Sequence, residues 1–280
     1  VTASRPTILL TNDDGFYHDT IQVLFRTLST LGRTYIVAPD RERSACSLAV
    51  TLRRPLRVER VRPRVWAVEG TPVDCVYFAV QKFLPRRPDL IVSGMNPGPN
   101  LGQQDINYSG TVGGAIQGTF LGIPSLAVSL LPDGRGRFDL RGAAAVVRTI
   151  AAEVLAHGLP PGTALNVNIP PAPRKGVRIT RLGWKFYDPE IVEKTDPRNA
   201  TYYWIGTGSP RRVGDAGTDV MAAHDGYISL TPLHTDMTAP GALGSPKLRR
   251  IVKSVREAEP EDLRRGEAHA STGRRRGPSR

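Results

Sequence analysis

Cysteine is nearly absent from this chain. The two that occur among 280 residues, Cys46 and Cys75, cannot form a disulfide framework, and they are not spaced as a CxxC zinc pair. No apolar run reaches the roughly 18 residues that a membrane-spanning helix needs. Residues 1–6 are too short and too polar for a secretory leader. The cytoplasm is therefore the expected compartment, with no membrane partner. Two nucleotide signatures are missing as well. There is no GxxxxGK[ST] loop, and the glycines at 94, 98 and 102 do not fit GxGxxG, which counts against nucleotide-cofactor enzymes. No internal repeat is found. Acidic side chains are in deficit, 26 against 38 Lys and Arg, for a net charge of +12. The excess is arginine spread through 53–64 and 86–87 and the tail near 274–276, a pattern of solvated surface more than of a nucleic-acid groove. A basic rim would still attract anionic substrates.

The apolar residues that are present, 40% of the chain, suffice for one large domain or a domain with an extension. Residues 7–11 read as a buried strand. Helical spacing follows over 19–31 (Ile21, Val23, Leu24, Leu28, Leu31), with Gly32 as a stop. Residues 34–38 form a second buried strand, so a right-handed βαβ crossover and a parallel sheet are expected. A strand pair follows at 56–61 and 65–68. Thr71 as N-cap and Pro72 at the first helical position start a helix that reaches Phe83. Residues 89–93 form a strand that ends in a Gly/Pro/Asn-rich stretch over 94–102, a candidate binding loop. Ser109-Gly110-Thr111 opens a helix over 112–121. Its Gly113, Gly114 and Gly118 each cost about 1 kcal/mol relative to alanine, a cost that close packing on the sheet would explain. A strand at 123–130, a long amphipathic helix at 140–157 and a strand at 164–169 continue the alternation. Beyond Pro170 the rhythm changes to strands at 177–182, 202–205 and 227–231 between long loops, then a helix at 246–255. The expected class is α/β: a core over 1–170, a β-rich α+β extension over 171–255, and a charged, disordered tail over 256–280.

Chemistry gathers at the strand ends, where open α/β sheets bind ligands. The first strand stops at Asn12-Asp13-Asp14-Gly15. Two adjacent carboxylates repel unless a cation or a shared proton intervenes, so Asp13 and Asp14 are the nucleus of a candidate divalent-metal site, although the same tetrapeptide suits a tight turn. Loops after later strands add Ser44 and Ser47, then Asn96 and Asn100. Carboxylate, hydroxyl and amide oxygens suit Mg²⁺, Mn²⁺ or Ca²⁺ better than zinc. The free N–H groups at the helix start, Ser109-Gly110-Thr111, make an anion site. A cation beside an anion-binding helix end is apparatus for phosphoester hydrolysis. No Ser-His-Asp relay is evident, which favours direct attack by water.

The motifs come in a recognisable order: Ile8-Leu9-Leu10-Thr11-Asn12-Asp13-Asp14-Gly15, then Val37-Ala38-Pro39-Asp40-Arg41-Glu42-Arg43-Ser44, then Gly70-Thr71-Pro72-Val73-Asp74-Cys75-Val76. Pro88-Asp89-Leu90-Ile91-Val92-Ser93-Gly94-Met95-Asn96, Tyr108-Ser109-Gly110-Thr111-Val112, Gly217-Thr218-Asp219 and Gly226-Tyr227-Ile228-Ser229-Leu230-Thr231 follow. Together they resemble the SurE family of metal-dependent 5′/3′-nucleotidases over about residues 7–238. The resemblance implies a Rossmann-like, mostly parallel sheet flanked by helices, with a C-terminal extension swapped between subunits of a homodimer or homotetramer. It implies one divalent ion, Mg²⁺ or Mn²⁺ or another, held by Asp13, Asp14, Ser44 and Asn96. Phosphate would be held by Ser109, Gly110 and Thr111, with Asn12 beside them, and Asp13 or Asp14 would serve the attacking water. The implied substrate is a nucleoside 5′-monophosphate, with the 3′-ester as a further one. The sequence departs from the family at His18-Asp19-Thr20, where an Ala-Pro-Gly turn is usual, and at Ala45-Cys46 after Ser44. The spacer 103–107 is also slightly long. Those departures leave open a phosphatase for a specialised phosphorylated metabolite, and the charge leaves open a non-catalytic nucleic-acid-binding protein. His18 is expected to be a solvent-facing cap, with contact to substrate as the alternative, and the two cysteines to be buried or inert.

Overall fold

The computed structural model describes residues 5–258 apart from 189, 207, 209 and 214; the charged tail beyond 258 lies outside the described residues. The chain alternates strand and helix: β1 (Thr7–Thr11), α1 (Asp19–Leu28), β2 (Arg33–Pro39), β3 (Val58–Arg62), β4 (Val65–Val68), α2 (Pro72–Phe78) and β5 (Leu90–Pro97). Then come α3 (Gly102–Tyr108), α4 (Gly110–Phe120), β6 (Ser125–Leu130), α5 (Leu140–His157) and β7 (Thr163–Ile169). The later part is β8 (Val177–Ile179), β9 (Trp184–Tyr187), β10 (Ile191–Thr195), β11 (Thr201–Ile205), β12 (Pro210–Val213), α6 (Asp219–His224) and β13 (Ile228–His234). Two helices, α7 (Pro240–Leu243) and α8 (Pro246–Ala258), belong to a separate compact unit that begins at Asp236.

One nine-stranded sheet organises the first unit, in the order β3-β4-β2-β1-β5-β6-β7-β13-β8. The six strands from β4 to β7 are mutually parallel, whereas β3 and β13 run antiparallel to β4 and β7. Strand β1 sits in the middle. From it the chain winds outward one way through β2 and β4, and the other way through β5, β6 and β7. The change of direction between β1 and β5 is the topological switch point, where the loops diverge and leave a crevice.

Alternation along β1 builds both faces of the core. Ile8 and Leu10 join the helix residues Ile21, Leu24, Leu28 and Val147, so α1 and α5 cover one face. Leu9 points the other way and packs with Val37, Cys75, Val76 and Ile91, beneath α2. Helix α2 starts as its sequence dictates, with Thr71 and Asp74 in a reciprocal capping box and Pro72 at the first turn, and it continues through a π turn over Ala79–Phe83. Helix α4 lies on the same face and its glycines let it approach the sheet. A Cβ on Gly114 would fall 2.8 Å from Ser93 Oγ, and one on Gly118 would fall 2.2 Å from Ser125 Oγ and 2.7 Å from Ile91 Cδ1. The helix-propensity cost of those residues is thus offset by contact.

Two features differ from the sequence reading. The stretch 94–97 continues β5 because pairing with β6 resumes after a register shift, with Asn96 opposite Ser129. Residues 102–108 form the helix α3, for which no apolar period gave a signal. In the later part the short strands β9, β10 and β12 were also unforeseen; β10 pairs with β11 and β12 with β9 as separate two-stranded ribbons. The β10–β11 hairpin leaves Ile191, Tyr203, Trp204 and Ile205 largely exposed. In α8, Leu248, Ile251, Val252 and Val255 recur at helical spacing and are likewise exposed.

Replacing Gly118 with valine should overpack the α4–sheet contact and cost about 1–3 kcal/mol. Thermal unfolding of the variant would show a midpoint several degrees lower, and an unchanged midpoint would mean that the contact is not close-packed.

Candidate metal and phosphate site

The Asn12–Gly15 turn ends β1 at the switch point. Asn12 is wholly buried and braces the turn, its Oδ1 accepting from Gly15 N at 3.2 Å and its Nδ2 donating to Gly15 O at 3.0 Å. Both ends of its amide are used by the turn, so its part is to set the direction of the two acids that follow.

Asp13 points at the start of α4. Its Oδ1 accepts a short hydrogen bond from Thr111 Oγ1. A Cβ on Gly110 would fall 2.9 Å from Asp13 Cβ, 3.0 Å from its Oδ2 and 2.6 Å from Cys46 Sγ, so only glycine fits. Burial raises the Asp13 pKa, and the Thr111 hydroxyl and the backbone N–H groups of Thr111 and Gly110 pull against that rise. Ser109 is the N-cap of α4; its Oγ accepts from Val112 N at 3.1 Å. The three residues assigned to phosphate therefore form one helix N-terminus, with a positive partial charge, directly against an acid assigned to metal.

Asp14 is the opposite case. Its Oδ2 is buried and has no hydrogen-bond partner. Burial, the charge of Asp13 and the charge of Glu42 together raise its pKa from 3.8 to about 7. A buried carboxylate oxygen left without a donor costs about 1–3 kcal/mol or more, and a hard cation is a partner that would remove the cost. The donor chemistry fits such an ion.

The remaining ligand candidates come from the neighbouring strands. The segment after β2 is tied to the acid turn, with Arg43 N donating to Asp13 O at 2.6 Å and Phe16 N to Pro39 O at 2.9 Å. Ser44, the next residue, is exposed and donates its hydroxyl to Glu42 Oε1 at 2.6 Å, which keeps the oxygen lone pairs free. Asn96 is half-buried on β5; its Nδ2 donates to Gly98 O at 2.7 Å, which leaves Oδ1 as the candidate ligand atom. Because β1 pairs with β2 on one side and β5 on the other, Asp13, Asp14, Ser44 and Asn96 share one sheet edge. Ser47 and Asn100 are engaged elsewhere. Ser47 Oγ donates to Asn107 O at 2.6 Å, and Asn100 Nδ2 to Ser129 Oγ at 2.7 Å. Among the described residues no group of three or more His, Cys, Asp and Glu side chains forms a metal cluster; the donor set here is mixed, two carboxylates with a hydroxyl and an amide.

Sequence reasoning missed several supporting residues. Glu42 both holds Ser44 and faces Asp14. Asp105 and Lys185 form an ion pair of 2.6 Å with side chains 7% and 9% exposed, which fastens α3 to β9. Asp219 receives backbone N–H groups of Gly102, Gly183 and Val220, each at 2.8 Å, and so pins the start of α3. Since α3 runs into Ser109, these contacts position the Ser109-Gly110-Thr111 turn. The only signal for Asp219 was its place in the Gly-Thr-Asp motif. His18 caps α1, its Nδ1 accepting from Thr20 N at 3.3 Å. Burial pushes the Cys46 thiol up to about 11 and also raises Cys75 well above the ordinary thiol value, so neither is poised as a thiolate.

A profile of the Survival protein SurE family matches residues 8–189. The chain belongs to the SurE family. It is 48% identical over 231 residues to the 5′-nucleotidase SurE of Syntrophotalea carbinolica, covering 82% of this chain and 92% of that one. The 5′-nucleotidase SurE of Pelobacter propionicus is 47% identical over 234 residues, 82% of this chain and 94% of its own. The crystal structure of the SurE protein from Aquifex aeolicus superposes with a TM-score of 0.75 at 39% identity, covering 88% of this chain and all of that one. The SurE-like part thus reaches past the profile match, through the sheet's last strands. No helix among the described residues is long and apolar enough to cross a membrane.

Because its folded pKa is raised, Asp14 favours the fold while protonated, and its contribution is lost as pH climbs from about 4 to about 7. In chelator-treated protein, Asp14→Asn should therefore unfold at a higher temperature than wild type at pH 8, with the difference vanishing near pH 4. A lower midpoint for the variant at pH 8 would contradict the unpartnered state of this carboxylate.

Proposed function

We propose that this SurE-family protein is a divalent-metal-dependent phosphomonoesterase that hydrolyses nucleoside 5′-monophosphates, with 3′-monophosphates as further substrates. The observation that carries the reading is the buried, unpartnered Asp14 Oδ2 beside an acid that caps the first turn of α4. The relatives' name, 5′-nucleotidase, supports the same substrate class.

In this reading Asp13, Asp14, Ser44 and Asn96 hold one divalent ion, Mg²⁺ or Mn²⁺ by donor type. Such an ion, when bound, supplies Lewis-acid polarisation of the phosphoryl group and acidifies a bound water. One of the two acids, Asp14 or Asp13, would also orient the attacking water and take its proton. Asp13 keeps its own carboxylate fixed through Thr111 and cannot turn away from the site. The N–H groups at the start of α4, with the Ser109 hydroxyl, stabilise charge that grows on the phosphoryl oxygens, while the Thr111 hydroxyl proton stays with Asp13. Asn12 acts through the turn. No Ser-His-Asp relay is found at this edge among the described residues, and in this reading the Ser44 hydroxyl is given to the ion and the Thr111 hydroxyl to Asp13, so water attacks directly.

We read the chain as a homodimer or homotetramer that assembles through the extension over 171–255; the parts left to exchange between subunits are the β10–β11 hairpin and α8, since β8, β13, Lys185 and Asp219 are held within the chain. An isolated two-stranded ribbon is marginal in water, and β10–β11 exposes Trp204 by 63% and Ile205 by 77%. The uncovered apolar stripe of α8 asks for a partner in the same way. Residues 1–170 would be the catalytic core, working in the cytoplasm.

Phosphate release tests the reading. With Mg²⁺ or Mn²⁺ the wild type should release phosphate from nucleoside monophosphates in preference to other phosphate esters, and chelation should abolish release. Asp14→Asn should lower kcat by about 10²-fold or more, the scale seen for loss of a general base, without unfolding the protein. Release that survives exhaustive chelation would contradict the metal assignment; release only from non-nucleotide esters would favour the specialised-metabolite reading.

A further inference from the structure

The sequence departs from its family just after the acid turn, at His18-Asp19-Thr20, and the residues that lead into that departure, Phe16 and Tyr17, have a defined shape. Phe16 turns inward and packs against the core beneath α1, while its backbone N–H is held by Pro39 O at 2.9 Å. His18 is fixed as the N-cap of α1. Tyr17 lies between these two anchors and is 58% exposed. Its ring meets the Phe16 ring edge to face, with centroids 5.6 Å apart and planes at 87°.

The direction of the ring is also determined. Gly15 has φ +104°, a conformation that a side chain would strain, and a Cβ there would fall 3.0 Å from Tyr17 Cε1 and 3.4 Å from the Arg41 carbonyl carbon. The tyrosine edge therefore lies against Gly15, the last residue of the turn that carries Asp13 and Asp14, where the Arg41 backbone also comes close. An exposed apolar ring is ordinary on a surface. A ring braced edge to face on Phe16 and set against the end of the acid turn at Gly15 has less rotamer freedom to lose on binding.

We propose that Tyr17 is the specificity-determining residue of the site: its exposed ring stacks on the base of a nucleoside phosphate whose phosphoryl group lies at Asp13, Asp14 and the start of α4. The inference rests on the nucleotidase reading above and names the part of the substrate that reading leaves unassigned. Base–aromatic stacking tolerates every base, because each has a π-face. The enzyme would then favour nucleoside monophosphates over base-free phosphates without strong choice among bases. The tyrosine hydroxyl has no role in stacking, so phenylalanine should substitute for it.

The test compares adenosine 5′-monophosphate with ribose 5-phosphate for the wild type, Tyr17→Ala and Tyr17→Phe, all as full-length, metal-loaded protein. In Tyr17→Ala the ratio of kcat/KM for the nucleotide to that for the sugar phosphate should fall roughly tenfold, mainly through KM, as loss of one stacked base predicts. Tyr17→Phe should keep the wild-type ratio. An alanine variant whose ratio stays within about twofold of wild type overturns the proposal, as does a fall shared equally by both substrates. Calorimetric titration with adenosine separates this failure from failure of the nucleotidase reading. If the wild type released no phosphate from nucleotides, adenosine binding that is lost in Tyr17→Ala would still support the platform. If the wild type turned over the nucleotide while Tyr17→Ala bound adenosine as tightly as wild type, the platform alone would fall.

Discussion

The contact between Asp13 and the first turn of α4 is the constraint on which the rest of the site depends. It joins the end of the central strand to a helix that lies some 100 residues later in the chain, and it admits no side chain at Gly110. A carboxylate against a helix N-terminus is an electrostatically favourable pairing. Here its effect is positional. With Asp13 committed to the helix, Asp14 is left as the acid with an unpartnered oxygen, and the pair divides into a fixed member and one whose Oδ2 awaits a ligand. Burial then sharpens the difference, since low dielectric penalises both charges, and Asp13 is compensated by the Thr111 hydroxyl and N–H groups of α4 whereas Asp14 has only its own backbone N–H.

The sheet places everything else within reach. Strand order reverses on either side of β1, so the strands that flank it deliver Ser44 and Asn96 to the same edge from opposite directions. Support comes from far along the chain. Asp219 and Lys185 hold α3, and α3 ends at the residue that caps α4. A segment that looks like an appendage in sequence is thus part of what holds the Ser109-Gly110-Thr111 turn. The Lys185–Asp105 pair is nearly dry. Removing one partner of such a pair would cost several kcal/mol because it strands a buried charge, so the register between extension and core is strongly specified.

Much of this was legible in the residues. The strands of the parallel core, the helix at Leu140–His157 and the caps at His18, Thr71 and Ser109 follow from apolar period and capping chemistry. The close approach of α4 was legible too, from glycines placed where a helix pays for them. What could not be read was anything fixed by distant pairing. Residues 94–97 carry loop composition yet continue β5, because β6 offers partners after a register shift. Helix α3 has no apolar stripe, since Asp219 and Asp105 hold it through polar contacts instead. Within the site, the residue types of Asp13 and Asp14 were readable, but their division of labour was not, because it depends on Thr111. Ser47 and Asn100 have suitable oxygens and are spent on the scaffold, a distinction that only tertiary structure makes.

Calorimetric titration of Mn²⁺ into metal-free protein bears most directly on the central claim, that the unpartnered Asp14 carboxylate is built for a cation. The account predicts one site per chain in the wild type, with binding that strengthens as pH rises through neutrality. It predicts that Asp14→Asn abolishes this binding and that Ser47→Ala, whose hydroxyl belongs to the scaffold, retains it. Equal Mn²⁺ binding by the wild type and Asp14→Asn would contradict the account.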